Sequence, residues 1–149
     1  MEKNKKIIQL GGTVRSGTTL VGLILANSDN AISLGEVMHL FKPYNQQHYD
    51  KINELKQHKK WNKIINDKKE SLYDNIFKHF PEVDVIIDSS KDPFWFKKLN
   101  RNNSKQIIQL VTYKDPRDLK NSFSKRGLAN WKKVFLNYYK RFFTIFPMT

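Results

Sequence analysis

Four short stretches of this 149-residue chain carry side chains suited to holding and transferring an anionic group. The first spans residues 6–20: an apolar run, Ile7-Ile8-Gln9-Leu10, breaks at Gly11-Gly12, passes Thr13-Val14-Arg15-Ser16-Gly17 and enters Thr18-Thr19-Leu20. A strand, a glycine-rich loop and a helix N-terminus in that order aim backbone N–H groups and the positive end of the helix dipole at a phosphate or sulfate. The other stretches are Gly35-Glu36, Lys91-Asp92-Pro93, and Lys114-Asp115-Pro116-Arg117 with Ser122 and Arg126 beyond it. Taken singly, a loop glutamate, a surface lysine or a helix-start arginine carries little information. Their position at the ends of successive strand-like runs is what makes them one candidate site.

Residues 12–19 read G-T-V-R-S-G-T-T against the triphosphate loop G-x-x-x-x-G-K-[ST]. Thr18 stands where that pattern places the lysine that reaches the terminal phosphates, which argues against an ordinary ATPase or GTPase. Arg15 supplies a forked cation from inside the loop, suited to bidentate contact with an oxyanion.

The elements that must position these groups follow from the apolar pattern. Residues 7–10, 31–34, 83–87 and 106–112 read as strands, and residues 20–26 continue the first helix. Residues 39–60 read as a polar loop and a surface helix. Over residues 61–80 the residues Trp61, Ile64, Ile65, Leu72, Ile76, Phe77 and Phe80 recur at helical spacing, predicting one amphipathic helix that Pro81 stops. Asp92-Pro93 and Asp115-Pro116 are helix starts, with an Asp cap and a Pro at the first position; the second helix runs to about residue 125. Strands alternating with helices predict an α/β fold, a three-layer parallel sheet with P-loop-like nucleotide-binding topology, whose ligands bind at the strand carboxyl ends. Residues 131–146 are dense in aromatics interleaved with Lys132, Lys133, Lys140 and Arg141, and lack the clean polar face of a membrane-surface helix, so they read as a core helix.

Length allows one domain, residues 1–149, with a real core. The formal net charge of +13 suggests a polyanionic ligand, nucleic acid or an anionic membrane, but much of it is lysine on solvated helix faces such as residues 56–69. No zinc finger, ribonucleoprotein motif or arginine-rich arm supports nucleic acid. The chain has no cysteine, no run long enough to span a bilayer and no uninterrupted signal-peptide core, which together predict a cytoplasmic protein.

Arg15-Ser16-Gly17-Thr18-Thr19-Leu20 resembles the 5′-phosphosulfate loop of sulfotransferases that use 3′-phosphoadenosine 5′-phosphosulfate (PAPS), in the form found in the tyrosylprotein and carbohydrate branches and their bacterial relatives. Gly35-Glu36 resembles the Gly-Glu where the tyrosylprotein branch places its catalytic base. Lys91-Asp92-Pro93-Phe94 resembles that branch's Lys-Asp-Pro-Phe, whose lysine assists at the transferring group. Residues 111–126 resemble the 3′-phosphate segment, with Arg117, Ser122 and Arg126 in its binding positions, although Tyr113-Lys114 stand where relatives commonly have Val-Arg. The resemblance covers roughly residues 7–131 and implies the N-terminal portion of the family domain, since relatives run on through further adenine-contacting segments.

The resemblance implies PAPS as the donor, a hydroxyl acceptor (sugar, tyrosine, lipid or small alcohol), and no metal. Glu36 would take the acceptor proton, while Lys91 and Arg15 would stabilise charge building on the bridging oxygen. Two alternatives stand beside it: a catalytically silent fragment that binds PAPS or its desulfated product PAP, and a P-loop kinase. A homo-oligomer or a further C-terminal portion is the other expected partner; acceptor pockets in this family are built largely by variable segments, here residues 39–80, and by the C-terminal part.

Overall fold

The computed structural model describes residues 5–67, 71–101, 103, 105–127 and 130–145. Its centre is a four-stranded, all-parallel sheet in the order β2-β3-β1-β4, formed by β1 (Lys6–Gly12), β2 (Ala31–Ser33), β3 (Val85–Asp88) and β4 (Gln106–Thr112). In register, Ile7 lies beside Ile86 and Ile107, and Gly12 lies beside Thr112. The connection from β1 goes to one side of the sheet, and that from β3 crosses β1 to the other side. This reversal opens a crevice at the carboxyl ends of the strands, where open α/β sheets bind ligands.

Alternation along β1 sorts the two faces. Leu10 faces α1 (Thr18–Leu25), which comes so close at Gly22 that a Cβ there would meet Leu10 at 3.5 Å and the Ser89 hydroxyl at 2.8 Å. Ile7 and Gln9 face the opposite layer. There, α3 (Lys59–Asn66), α4 (Leu72–His79) and α5 (Pro93–Asn100) bury Ile64, Tyr73, Ile76, Phe77, Trp95 and Phe96 in one core with Ile7 and Ile86. The polar helix α2 (Gln46–Gln57) packs beside α3 and covers it with little more than Ile52.

The predicted single helix over residues 61–80 is two helices. α3 ends at Asn66, Asp67 takes an extended conformation, and α4 restarts after Ser71, whose hydroxyl accepts from the Asp74 N–H at 3.2 Å. The apolar spacing is continuous across the break, but Ser71-x-x-Asp74 is a helix-start signal that periodicity overlooks. The two Asp-Pro starts are as expected: Asp92 caps α5 through Trp95 N–H at 2.9 Å, and Asp115 caps α6 (Pro116–Ser124) through Arg117 N–H at 2.8 Å. The aromatic tail forms α7 (Trp131–Ile145), which lies against α5 and α6 and buries Phe142, while Phe146 falls outside the described residues. Among the described residues no helix is long and apolar enough to cross a membrane.

A polar network runs through the core beneath the crevice. Tyr73 donates to Asp88 Oδ2 at 2.8 Å and accepts from Gln9 Nε2 at 3.2 Å; Trp95 Nε1 donates to the same Asp88 oxygen at 3.2 Å. Ser90 N–H donates to Asp88 Oδ1 at 2.8 Å. Burial pushes the Asp88 carboxyl above its ordinary value of 3.8, and the donors from Ser90, Tyr73 and Trp95 oppose that rise. Tyr73→Phe removes one donor to this buried carboxylate, so it should cost about 2 kcal/mol in urea unfolding. A loss of a few tenths would show that the network adds nothing beyond packing.

Candidate functional site

Thr13-Val14-Arg15-Ser16-Gly17 wraps the carboxyl end of β1. Ser16 anchors it, donating its N–H to Thr13 O at 3.1 Å and its hydroxyl to the same oxygen at 2.7 Å. Ser16 Oγ also lies 2.7 Å from Thr112 Oγ1, tying the loop to the end of β4. Gly17, at φ +90°, turns the chain into α1, a conformation that suits glycine. Among the described residues no side chain caps α1, which leaves its first-turn N–H groups at the crevice without a side-chain acceptor. Arg15 also has positive φ, +73°, and its Nε reaches Ser122 Oγ at 3.5 Å.

Glu36 and Lys91 meet from opposite sides. Ser89 N–H donates to Gly35 O at 2.9 Å and Met38 N–H donates to Ser90 Oγ at 3.0 Å, which staples the end of β3 to the segment carrying Glu36. Lys91, at φ +64°, donates Nζ to Glu36 Oε1. His39 lies on the 3₁₀ turn Val37–Leu40 and places Nε2 3.0 Å from Glu36 Oε2. Partial burial pushes the Glu36 carboxyl up, but the hydrogen bond and charge of Lys91, joined by His39, outweigh it and hold Glu36 below its ordinary 4.5.

A cleft of 610 Å³ gathers residues 14–20, Glu36, Lys91, Lys114 and Ser122. It therefore contains every expected residue of the loop, Arg15, Ser16, Gly17, Thr18, Thr19 and Leu20, together with Glu36, Lys91 and Ser122. Arg117 and Arg126 do not line it. The Arg117 side chain is 90% exposed and forks back onto its own helix cap, with Nε 3.0 Å from Asp115 Oδ1 and an NH2 group 2.9 Å from Oδ2. Arg126 is exposed in the turn after α6. Lys114, which opens the Lys-Asp-Pro-Arg stretch and stands where relatives commonly have an arginine, is the cation that this segment brings to the cleft.

Two further clefts adjoin, of 380 and 850 Å³, and Glu36 and His39 line both. The smaller is roofed by Asn137, Tyr138 and Arg141 of α7. Tyr138 accepts the Gly12 N–H, and Tyr139 donates to Thr112 O at 3.3 Å, so the aromatic helix is fastened across the ends of β1 and β4. His39 was not singled out in the sequence, although Glu-x-x-His was the available signal: side chains three apart on a 3₁₀ turn eclipse one another. The α7 contacts had no comparable signal, because nothing in local spacing says which strand ends a helix will cover.

No protein-family model and no curated protein matches the chain. Among solved structures, a chain of a structure described as a Pnkp1/Rnl/Hen1 complex is similar over 81% of this chain and 40% of its own length. The identity is 15% and the TM-score 0.48, a likeness that carries no inference about function.

Two titrations check this geometry. Lys91→Met should move the Glu36 carboxyl upward in a carbon-detected NMR titration, and an unmoved Glu36 would remove Lys91 as the cause. The Arg117 hydrogen bonds hold Asp115 down at about 2 against an ordinary 3.8. The Asp115 contribution to α6 is therefore present above pH 3.8 and lost as pH falls through about 2. Amide signals of α6 should broaden or shift across that window, and Arg117→Ala should move the change to higher pH.

Proposed function

We propose that the chain is a sulfotransferase domain, or its donor-binding portion, that moves the sulfuryl group of PAPS to a hydroxyl acceptor by in-line displacement. The observation that carries this reading is the single cleft into which four separately encoded segments deliver Arg15, Glu36, Lys91 and Ser122 beside an uncapped helix start. The first-turn N–H groups of α1 and Arg15 would hold the 5′ end of the donor. Ser122 and Lys114 lie on the side where the 3′-phosphate would sit, and Arg117 would join them only by leaving Asp115. Lys91 and Arg15 would stabilise negative charge on the leaving oxygen, the charge that grows most between ground state and transition state. Glu36 is the carboxylate on which loss of the acceptor proton depends.

Binding and turnover separate this reading from its rivals. Arg15→Ala should weaken 3′,5′-adenosine bisphosphate in calorimetry by about 10- to 100-fold, the loss of one charge-assisted contact. Glu36→Gln should keep that affinity and abolish transfer. Bisphosphate binding with no transfer in the wild type would favour a silent binding domain. A thermal shift with ATP-magnesium and none with the bisphosphate would favour a kinase.

A further inference from the structure

Both oxygens of Glu36 are occupied, Oε1 by Lys91 and Oε2 by His39. A carboxylate held in this way accepts a hydroxyl proton poorly, because two donors already stabilise its charged form. The ring of His39 beside it carries a second basic nitrogen. With Nε2 against an anionic oxygen, that nitrogen carries the hydrogen, and the lone pair of the neutral ring falls on Nδ1. His39 Nδ1 is closed off from solvent and has no hydrogen-bond partner among the described residues, a state that buried polar atoms rarely adopt without a role. The ring is fixed in place: it stacks on His48 at 4.2 Å, meets the edge of Tyr44 at 5.0 Å, and its side chain is 14% exposed. It lines the same cleft as Gly12, Thr13 and Lys91.

We propose that His39 Nδ1 is the atom that takes the acceptor's proton, with Glu36 orienting the ring and Lys91 holding Glu36. The proposal rests on the sulfuryl-transfer reading and assigns its proton. The acceptor O–H bond breaks and its proton forms an N–H bond at Nδ1. The freed electron pair bonds the acceptor oxygen to sulfur. The bond from sulfur to the bridging phosphate oxygen breaks, leaving its electron pair on that oxygen. The imidazolium formed sits against the Glu36 carboxylate, as in other carboxylate–histidine pairs. Tyr44, 72% exposed and edge-on to the ring, is the neighbour with room to swing aside and admit a hydroxyl.

Two measurements on the full chain test this. Heteronuclear NMR of the imidazole nitrogens should show the neutral ring of His39 with a protonated Nε2 and a bare Nδ1; the opposite tautomer overturns the assignment without any activity assay. His39→Gln keeps a side-chain N–H that can hold Glu36 but has no basic nitrogen. With PAPS as donor and phenol as acceptor, PAP release should fall by about 10²- to 10⁴-fold in this variant, while affinity for 3′,5′-adenosine bisphosphate stays unchanged. Added imidazole should restore part of the rate in His39→Gly. Near wild-type turnover in His39→Gln would mean that the ring only holds Glu36, and would sink the proposal. A wild-type chain that does not bind the bisphosphate removes the sulfuryl-transfer reading and this proposal with it, and the tautomer then reports separately on whether Glu36 orients the ring.

Discussion

The buried carboxylate of Asp88 is the constraint on which the rest of the arrangement depends. It sits at the last residue of β3, fully enclosed, and satisfies donors from α4, from α5 and from the chain two residues on. A charge in that position is expensive unless every lone pair finds a donor, so the helices above the sheet are fixed by chemistry as well as by apolar packing. The consequence passes outward. Ser90, whose N–H satisfies Asp88, uses its hydroxyl to accept from Met38, and Lys91 follows directly. One buried acid thus sets the position of the Lys91 turn and of the 3₁₀ turn that carries His39, with Glu36 just before it.

Much of this architecture was legible in the chain because its signals are local. Four strands, the loop after β1 and both Asp-Pro helix starts follow from short patterns whose physics is confined to a few residues. The break between α3 and α4 escaped because a hydrophobic stripe reports which face is buried and says nothing about whether the backbone is continuous. At the candidate site the same division holds. The loop, Glu36, Lys91 and Ser122 were recognisable by type and order, and they fall in one cleft. Arg117 and Arg126 illustrate the limit: an arginine two residues after its own capping aspartate has a partner close at hand, and only three-dimensional geometry shows that it takes it.

A few of the cations behind the formal charge of +13 gather at one place in the structure. Arg15, Lys91 and Lys114 share the main cleft and Arg141 borders the adjoining one, whereas Arg117 faces solvent. Cations gathered at a concave surface raise the local concentration of an anionic ligand before any contact is made. The carboxylate of Glu36 is the counterweight. It pairs with Lys91 and so offsets one of the cations of the cleft.

Among the described residues, two non-glycine residues have left-handed backbone, and both are cations of this cleft, Arg15 and Lys91. For an L-residue that conformation costs about 1–2 kcal/mol, which glycine avoids. A search for thermostable variants would therefore be drawn to glycine at both positions, where a more relaxed chain comes with the loss of two charges that line the cleft. Backbone relaxation and the charge of the cleft pull these two positions in opposite directions, and a stabilised version of this fold that keeps the charge has to find its gains elsewhere.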